Sequence, residues 1–199
     1  MAPHGHPSLR NLFDDAPTPH IAHSPRTHHR DYYIATDGSF FEDGAGVGAI
    51  IETGDGDCLS RIARPDDAPD NNTAEYRALA AGLDALADHA PVTARVGLLV
   101  DHDGLAENVN AAALGMRDPG WPDRPSIPDP SRDRWRVIRG HIDAFADVRA
   151  ACVVSDRNPA HVLANAPGEY SHVSGTPARP ADCDWKSPPP SRADRHADD

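Results

Sequence analysis

The chain has 199 residues, 39% of them hydrophobic and only 6% aromatic, and carries a formal net charge of −12. That length allows one domain with a sizeable core plus flanking segments, and the core has to be assembled from Val, Ile, Leu and Ala. No run approaches the ~18 apolar residues that a membrane helix needs, no apolar signal-peptide core is present, and Cys58, Cys152 and Cys183 form neither a disulfide framework nor a C-x-x-C zinc site.

Residues 1–30 hold six of the twelve histidines (His4, His6, His20, His23, His28 and His29), with scattered prolines and no sustained period, and are read as a disordered tail. Residues 32–36 are aromatic and β-branched, the composition of a strand, and deliver Asp37 at its carboxyl end, where Gly38 lets the chain turn away. Asp before Gly is also an ordinary turn signal, so Asp37 acquires meaning only together with acids further along the chain. After a turn at 40–44, residues 45–52 combine small residues with Ile50 and Ile51 and read as a second strand in a hairpin with the first. Residues 58–63 form a third strand. Gly44, Gly46 and Gly48 lie between strands with no Gly-Lys-Ser/Thr, which argues against a phosphate loop.

Residues 70–89 open with Asp70-Asn71-Asn72 and continue rich in Ala and Leu, the pattern of a capped helix ending before Pro91. Tyr76, Leu79, Leu83 and Leu86 form its packing face, and Glu75 sits at the edge of that face. A carboxylate there is either favourable charge near a helix N-terminus or a group aimed at a site. Residues 96–100 are apolar on both faces, as in a central strand covered by helices on each side, and end in Asp101. A helix is expected from Asp103 to about 114, a Pro/Gly/Asp-rich loop over 115–130, and a helix from Asp133 with Trp135, Ile138, Ile142 and Phe145 in register. The last strand spans 148–154, with Cys152 as a buried apolar residue. A short helix comes next, with Asn158 as cap and Pro159 at its first position. Residues 167–199, including Pro188, Pro189 and Pro190, are read as a polar, Pro-rich tail.

Two strand-ending carboxylates and a third that opens the helix between them make a specific combination. In Thr36-Asp37-Gly38-Ser39, Asn71-Asn72-Thr73-Ala74-Glu75, Val100-Asp101 and residues 158–164, the chain resembles a type 1 ribonuclease H of the ribonuclease H-like superfamily, over roughly residues 31–166. The resemblance implies an α/β fold with a five-stranded mixed sheet, three antiparallel strands then parallel ones, and helices on both faces. It implies an endonuclease that hydrolyses the RNA strand of RNA/DNA hybrids to 5′-phosphate and 3′-hydroxyl ends. Two Mg²⁺ or Mn²⁺ ions would be held by Asp37, Glu75 and Asp101, with Asp37 bridging them. Such hard ions need several carboxylate oxygens, and a pair of them stabilises both the attacking and the leaving oxygen of a phosphodiester. Asn71 and Asn72 occupy the place where the family contacts the minor groove of the hybrid, with Gly38, Ser39 and Asp103 as further substrate-binding candidates. Two Asn at a helix start also fit capping.

The pattern departs from the family in two places. The family carries a fourth acid in Asn-x-x-x-Asp-x-Leu-Ala; here the segment is one residue shorter and His161 stands before Val162-Leu163-Ala164. Imidazole ligates Mn²⁺, shuttles a proton or contacts a phosphate, and Asp156 is the alternative occupant. The basic handle is also thin, with Arg117, Arg124 and Arg132 but no lysine between 110 and 133.

Among the nineteen basic residues the only lysine is Lys186, and only five of the thirty-one acids are glutamates. This composition resembles that of proteins from a salt-adapted archaeon, and the chain is expected to be a cytoplasmic monomer with no membrane partner. Bulk acidity normally opposes nucleic-acid binding, but at molar salt the Debye length falls to about 3 Å and that objection weakens. The rival readings are a fold-retaining binding module without chemistry, a nuclease for double-stranded RNA or a branched junction, and a metal-storing His-rich protein.

Overall fold

The computed structural model describes residues 7–19, 29–118 and 125–170. His4, His6, His20, His23, His28, Arg124, Cys183, Lys186 and the Pro-rich stretch 171–199 lie outside those residues. Strands β1 (Tyr32–Phe41), β2 (Gly44–Thr53) and β3 (Cys58–Asp66) form an antiparallel meander, and β4 (Arg95–Val100) and β5 (Asp147–Cys152) run parallel to β1. The sheet order is β3-β2-β1-β4-β5, so the expected mixed sheet is present, and the apolar β4 is covered on both faces.

Helices α2 (Asn71–Ala87), α3 (Asp103–Gly115) and α4 (Arg132–Ala144) cover one face. Tyr76, Leu79, Leu83 and Leu86 of α2 meet Ile34, Leu98 and Val100 there, with Ile138 and Ile142 of α4 completing the layer. Each such side chain taken out of water contributes roughly 1.5–3 kcal/mol before chain entropy is counted. Trp135 packs edge-on to Tyr76, with ring centroids 6.3 Å apart. No helix among the described residues is long and apolar enough to cross a membrane.

The opposite face corrects the reading of residues 1–30 as a tail. Helix α1 (Leu9–Asp15) packs Leu9, Leu12 and Phe13 against Tyr33, Ala35 and Leu99. Ser8 caps the helix by accepting from the Asn11 N–H, and the Leu9 N–H donates to Glu52 Oε2 at 2.8 Å. Beyond α1 the chain protects the edge of the sheet. Pro17 O accepts from the Cys152 N–H at 2.8 Å, and Asn110 imitates a neighbouring strand by exchanging two 2.8 Å hydrogen bonds with the backbone of Ala150. An edge whose backbone groups are satisfied this way is a poor template for pairing with another chain.

Several boundaries also differ from expectation. β1 runs past Gly38 to Phe41, and β3 extends to Asp66. β5 ends at Cys152, which is half-buried and donates from Sγ to Asp103 Oδ1 at 2.7 Å, so it is not a buried apolar residue. Helix α5 (His161–Asn165) begins after Pro159, and the chain continues into a short α6 (Pro167–Tyr170) whose Tyr170 is buried. The packed unit therefore reaches beyond 31–166 at both ends.

Glycines in β2 explain how α5 comes so close. A Cβ at Gly46 would lie 1.9 Å from Ala164 O, and one at Gly48 would lie 2.5 Å from Ala160 O. These glycines serve helix packing.

Candidate active site

β4 stops at Val100 while β1 continues, so beyond Ala35 the β4 side of β1 carries no partner strand. The candidate site occupies this open flank. Asp37 is 1% exposed and sits inside β1, not at its end. Side chains alternate along a strand, so Asp37 and Ser39 face α5 while Thr36 and Gly38 face α2.

Gly38 is where α2 crosses the sheet. A Cβ there would come 2.2 Å from Ala74 C and 2.3 Å from Glu75 N, so the residue permits close approach and does not turn the chain. Its N–H hydrogen-bonds the Glu75 carboxylate, which brings Glu75, only 2% exposed, over the open flank. Gly38→Ala is expected to destabilise the fold by about 2–3 kcal/mol or more, because backbone must shift. It should also draw Glu75 away from the other acids. A melting curve tests the first effect, and a smaller Mn²⁺-induced gain in melting temperature tests the second.

Asp101, just after β4, accepts from Ser155 Oγ at 2.7 Å through Oδ2, while its Oδ1 is buried without a hydrogen-bond partner. Glu75 Oε2 is likewise buried and unpartnered. Burial and the nearby charges of Asp37 and Asp101 raise the Glu75 pKa well above the usual carboxylate range. Asp37 is also raised, first by burial, with the His161 hydrogen bond opposing and the Asp101 charge adding to it. Crowded carboxylates with orphaned oxygens are costly without compensation and fit a cation. Asp37, Asp101 and His161 each offer one ligand atom within 4.8 Å of the others, and Glu75 stands against Asp101 beside this trio. Oxygen-rich sets of this kind suit hard divalent ions.

His161 belongs to a ring of polar contacts in which the single Ser39 hydroxyl proton serves either Asn165 or Asp37. Its Nδ1 faces Asp37 Oδ1 at 3.3 Å, and its Nε2 meets Asn165 Nδ2 at 2.8 Å. Ser39 Oγ lies 3.0 Å from Asn165 Oδ1 and 3.3 Å from Asp37 Oδ2. The amide NH₂ can only donate, so Nε2 accepts and the ring proton lies on Nδ1, directed at Asp37. That hydrogen bond raises the His161 pKa, against burial. Asp156, the other candidate for the fourth position, is exposed on a 3-10 turn (Ser155–Arg157). Asn158 donates to Thr36 O at 2.8 Å and accepts from the Ala160 N–H at 3.1 Å, fastening the start of α5 to β1 rather than capping its first turn.

The remaining candidates divide by exposure. Asp70 Oδ1 accepts from the Thr73 N–H at 2.7 Å and is the cap of α2, so neither Asn71 nor Asn72 is needed for capping, and both are exposed. Asp103 is exposed at the start of α3 beside Cys152. Ser39 and Gly38 are buried, with Ser39 engaged inside the ring and Gly38 under α2. Arg117 pairs with Asp147 at 2.7 Å and Arg132 with Asp129 at 2.6 Å. Sequence reasoning did not identify Asn165, Ser155 or His102, each of which holds a candidate side chain in place.

A mixed sheet in this order, with helices on both faces and acids converging beside the central strand, defines the ribonuclease H-like fold. No protein-family model and no curated protein matches the chain in sequence. Solved structures similar to it include RNase H1 from the halophilic archaeon Halobacterium salinarum, 25% identical, with a TM-score of 0.54 over 69% of this chain and 97% of that one. The N-terminal RNase H domain of a Mycobacterium tuberculosis protein is 22% identical, with a TM-score of 0.56 over 67% of this chain and 95% of that one. LC11-RNase H1, solved in complex with an RNA/DNA hybrid, is 20% identical, with a TM-score of 0.53 over 67% and 94%.

Proposed function

We propose that the chain is a metal-dependent endonuclease that hydrolyses the RNA strand of RNA/DNA hybrids, acting as a monomer in the cytoplasm of a salt-adapted archaeon. The observation that carries this reading is the cluster of Asp37, Asp101 and His161 beside the open flank of β1, with Glu75 against its two acids and a buried, unpartnered oxygen on each of Glu75 and Asp101. A pure binding module has no need to hold three acids together against their repulsion. Two Mg²⁺ or Mn²⁺ ions held by these acids would supply the charge that activates a water and stabilises the leaving oxygen. In the reaction the water oxygen bonds to phosphorus, the bond to the 3′-oxygen breaks, and that oxygen takes up a proton, leaving 5′-phosphate and 3′-hydroxyl ends.

The chain's own residues divide this work. Asp37, Glu75 and Asp101 form the acidic floor. His161 holds a proton at Nδ1 against Asp37, in the position of the family's fourth acid. Exposed Asn71 and Asn72 offer amides to the minor groove, where the 2′-hydroxyl distinguishes RNA from DNA. With Arg117 and Arg132 already paired and the surface acidic, hydrogen bonds carry more of the affinity than counterion release does.

The test is a hybrid labelled on its RNA strand, incubated with Mg²⁺ or Mn²⁺ across a range of salt. Cleavage confined to the RNA strand is the expected result. Hybrid that is bound but never cut would favour the binding module.

Divalent ions should also stabilise the fold, and more so at alkaline pH. The raised Asp37 and Glu75 make the metal-free folded state bind more protons than the unfolded one above the ordinary carboxylate range of about 4. Stability therefore falls as pH rises from that range through the folded pKa values, and raised His161 acts in the same sense above about 6.5. Melting curves with and without Mn²⁺ should show a larger gain at pH 8 than at pH 5.5, as the ion replaces the lost protons. Equal gains at both pH values would count against an ion seated among these acids.

A further inference from the structure

His102 follows Asp101 and precedes α3, and both of its ring nitrogens are committed. Nδ1 accepts from the Leu105 N–H at 3.0 Å, closing the first turn of α3. Nε2 lies 2.7 Å from Oδ1 of Asn72, on the first turn of α2. An acceptor at Nδ1 needs its lone pair there, so the neutral ring carries its proton on Nε2 and donates to the Asn72 carbonyl. Gly104 leaves room for the ring, since a Cβ at that position would come 3.2 Å from His102 Cε1. The imidazole thus bridges the N-termini of two helices, fixed at one end by backbone and at the other by an exposed amide.

Resting on the proposed function, we infer that His102 is a positioning residue that holds Asn72 with its carbonyl turned inward and its NH₂ turned out. An amide held this way is a donor only. It suits the acceptors of a minor groove, purine N3, pyrimidine O2 and the ribose 2′-oxygen, and is mismatched to the guanine 2-amino donor. An unrestrained Asn presents either end and discriminates less. The hydrogen bond also places the group that selects the substrate one residue from Asp101, so binding register and chemistry share one rigid corner.

His102→Asn separates the two duties of the ring. Asn is among the best N-cap residues and keeps α3 closed, but it is too short to reach Asn72. Binding of a labelled RNA/DNA hybrid is measured in the Asp37→Asn background with His102→Asn, with Asn72→Ala, and with both. His102→Asn should weaken binding roughly threefold to tenfold, the scale of one net hydrogen bond, with an unchanged melting temperature. In the double variant its effect should vanish, because its only route is through Asn72. In the otherwise native chain, KM should rise while kcat holds. An undiminished effect of His102→Asn when residue 72 is Ala, a weakening that tracks a fall in melting temperature, or unaltered binding would each overturn the inference while leaving the proposed function standing. No hybrid binding by the Asp37→Asn chain, together with no cleavage by the native one, would overturn both.

Discussion

Asp37→Asn is expected to lower RNA-strand cleavage by about a thousandfold or more while raising the melting temperature of the metal-free protein. The first effect comes from charge. Metal-ion stabilisation of a developing oxyanion is worth several kcal/mol, and each 1.4 kcal/mol or so is about tenfold in rate. Losing the carboxylate at the centre of the acidic set should forfeit most of that. The second effect comes from burial. Asp37 is 1% exposed, its pKa is raised first by burial and further by the Asp101 charge, and the charges of Asp37 and Asp101 together add to the burial that raises Glu75. Asn keeps one oxygen to accept from His161, and its NH₂, standing where the second carboxylate oxygen was, can donate to Ser39 Oγ. For a domain of this size, each kcal/mol of repulsion relieved lifts the melting point by about 2–4 °C. Rates with labelled hybrid and melting curves in a chelator test the two halves separately. Near-native cleavage by the variant would remove Asp37 from the chemistry, and a lower melting temperature would mean that its hydrogen bonds outweigh the repulsion.

The three acids were legible because each interrupts or ends an apolar pattern, which is visible locally even though Asp37 lies inside β1 and not at its end. What Gly38 does was not legible. A glycine after a strand-like run fits a turn, and only the crossing of α2 shows that its missing side chain makes room for Ala74 and Glu75. The ring around His161 was hidden for a different reason. Ser39 and Asn165 meet across 126 residues of sequence, and nothing in either neighbourhood marks an amide as the partner of an imidazole. His102 was overlooked although it adjoins Asp101, because histidine is an unusual helix cap and its second partner lies on another helix. Helix α1 had a local signal, Ser8 followed by Leu9, Leu12 and Phe13 at helical spacing. Surrounding histidines and prolines masked it in any reading based on composition.

Phe13→Ala gives that helix its sharpest test. Phe13 is fully buried, edge-on to Tyr33 with ring centroids 5.6 Å apart, and close enough to β4 that a Cβ at Gly97 would lie 3.2 Å from its Cδ2. The absence of a side chain at Gly97 is thus part of the socket. Truncating a buried Phe costs about 3–5 kcal/mol, which corresponds to a fall in melting temperature on the order of 10 °C. The carboxylates lie at the other end of the parallel strands, and α1 supplies none of them. Cleavage per folded molecule at low temperature should therefore be retained, so stability and activity separate. The outcome also bears on Glu52, whose half-buried carboxylate accepts from the Leu9 N–H. With α1 docked through that bond and the Phe13 socket together, Glu52→Gln should be milder than Phe13→Ala, because an amide oxygen still accepts at that helix end. An unchanged melting temperature in Phe13→Ala would mean that α1 contributes nothing to the core, and residues 1–30 would revert to a tail.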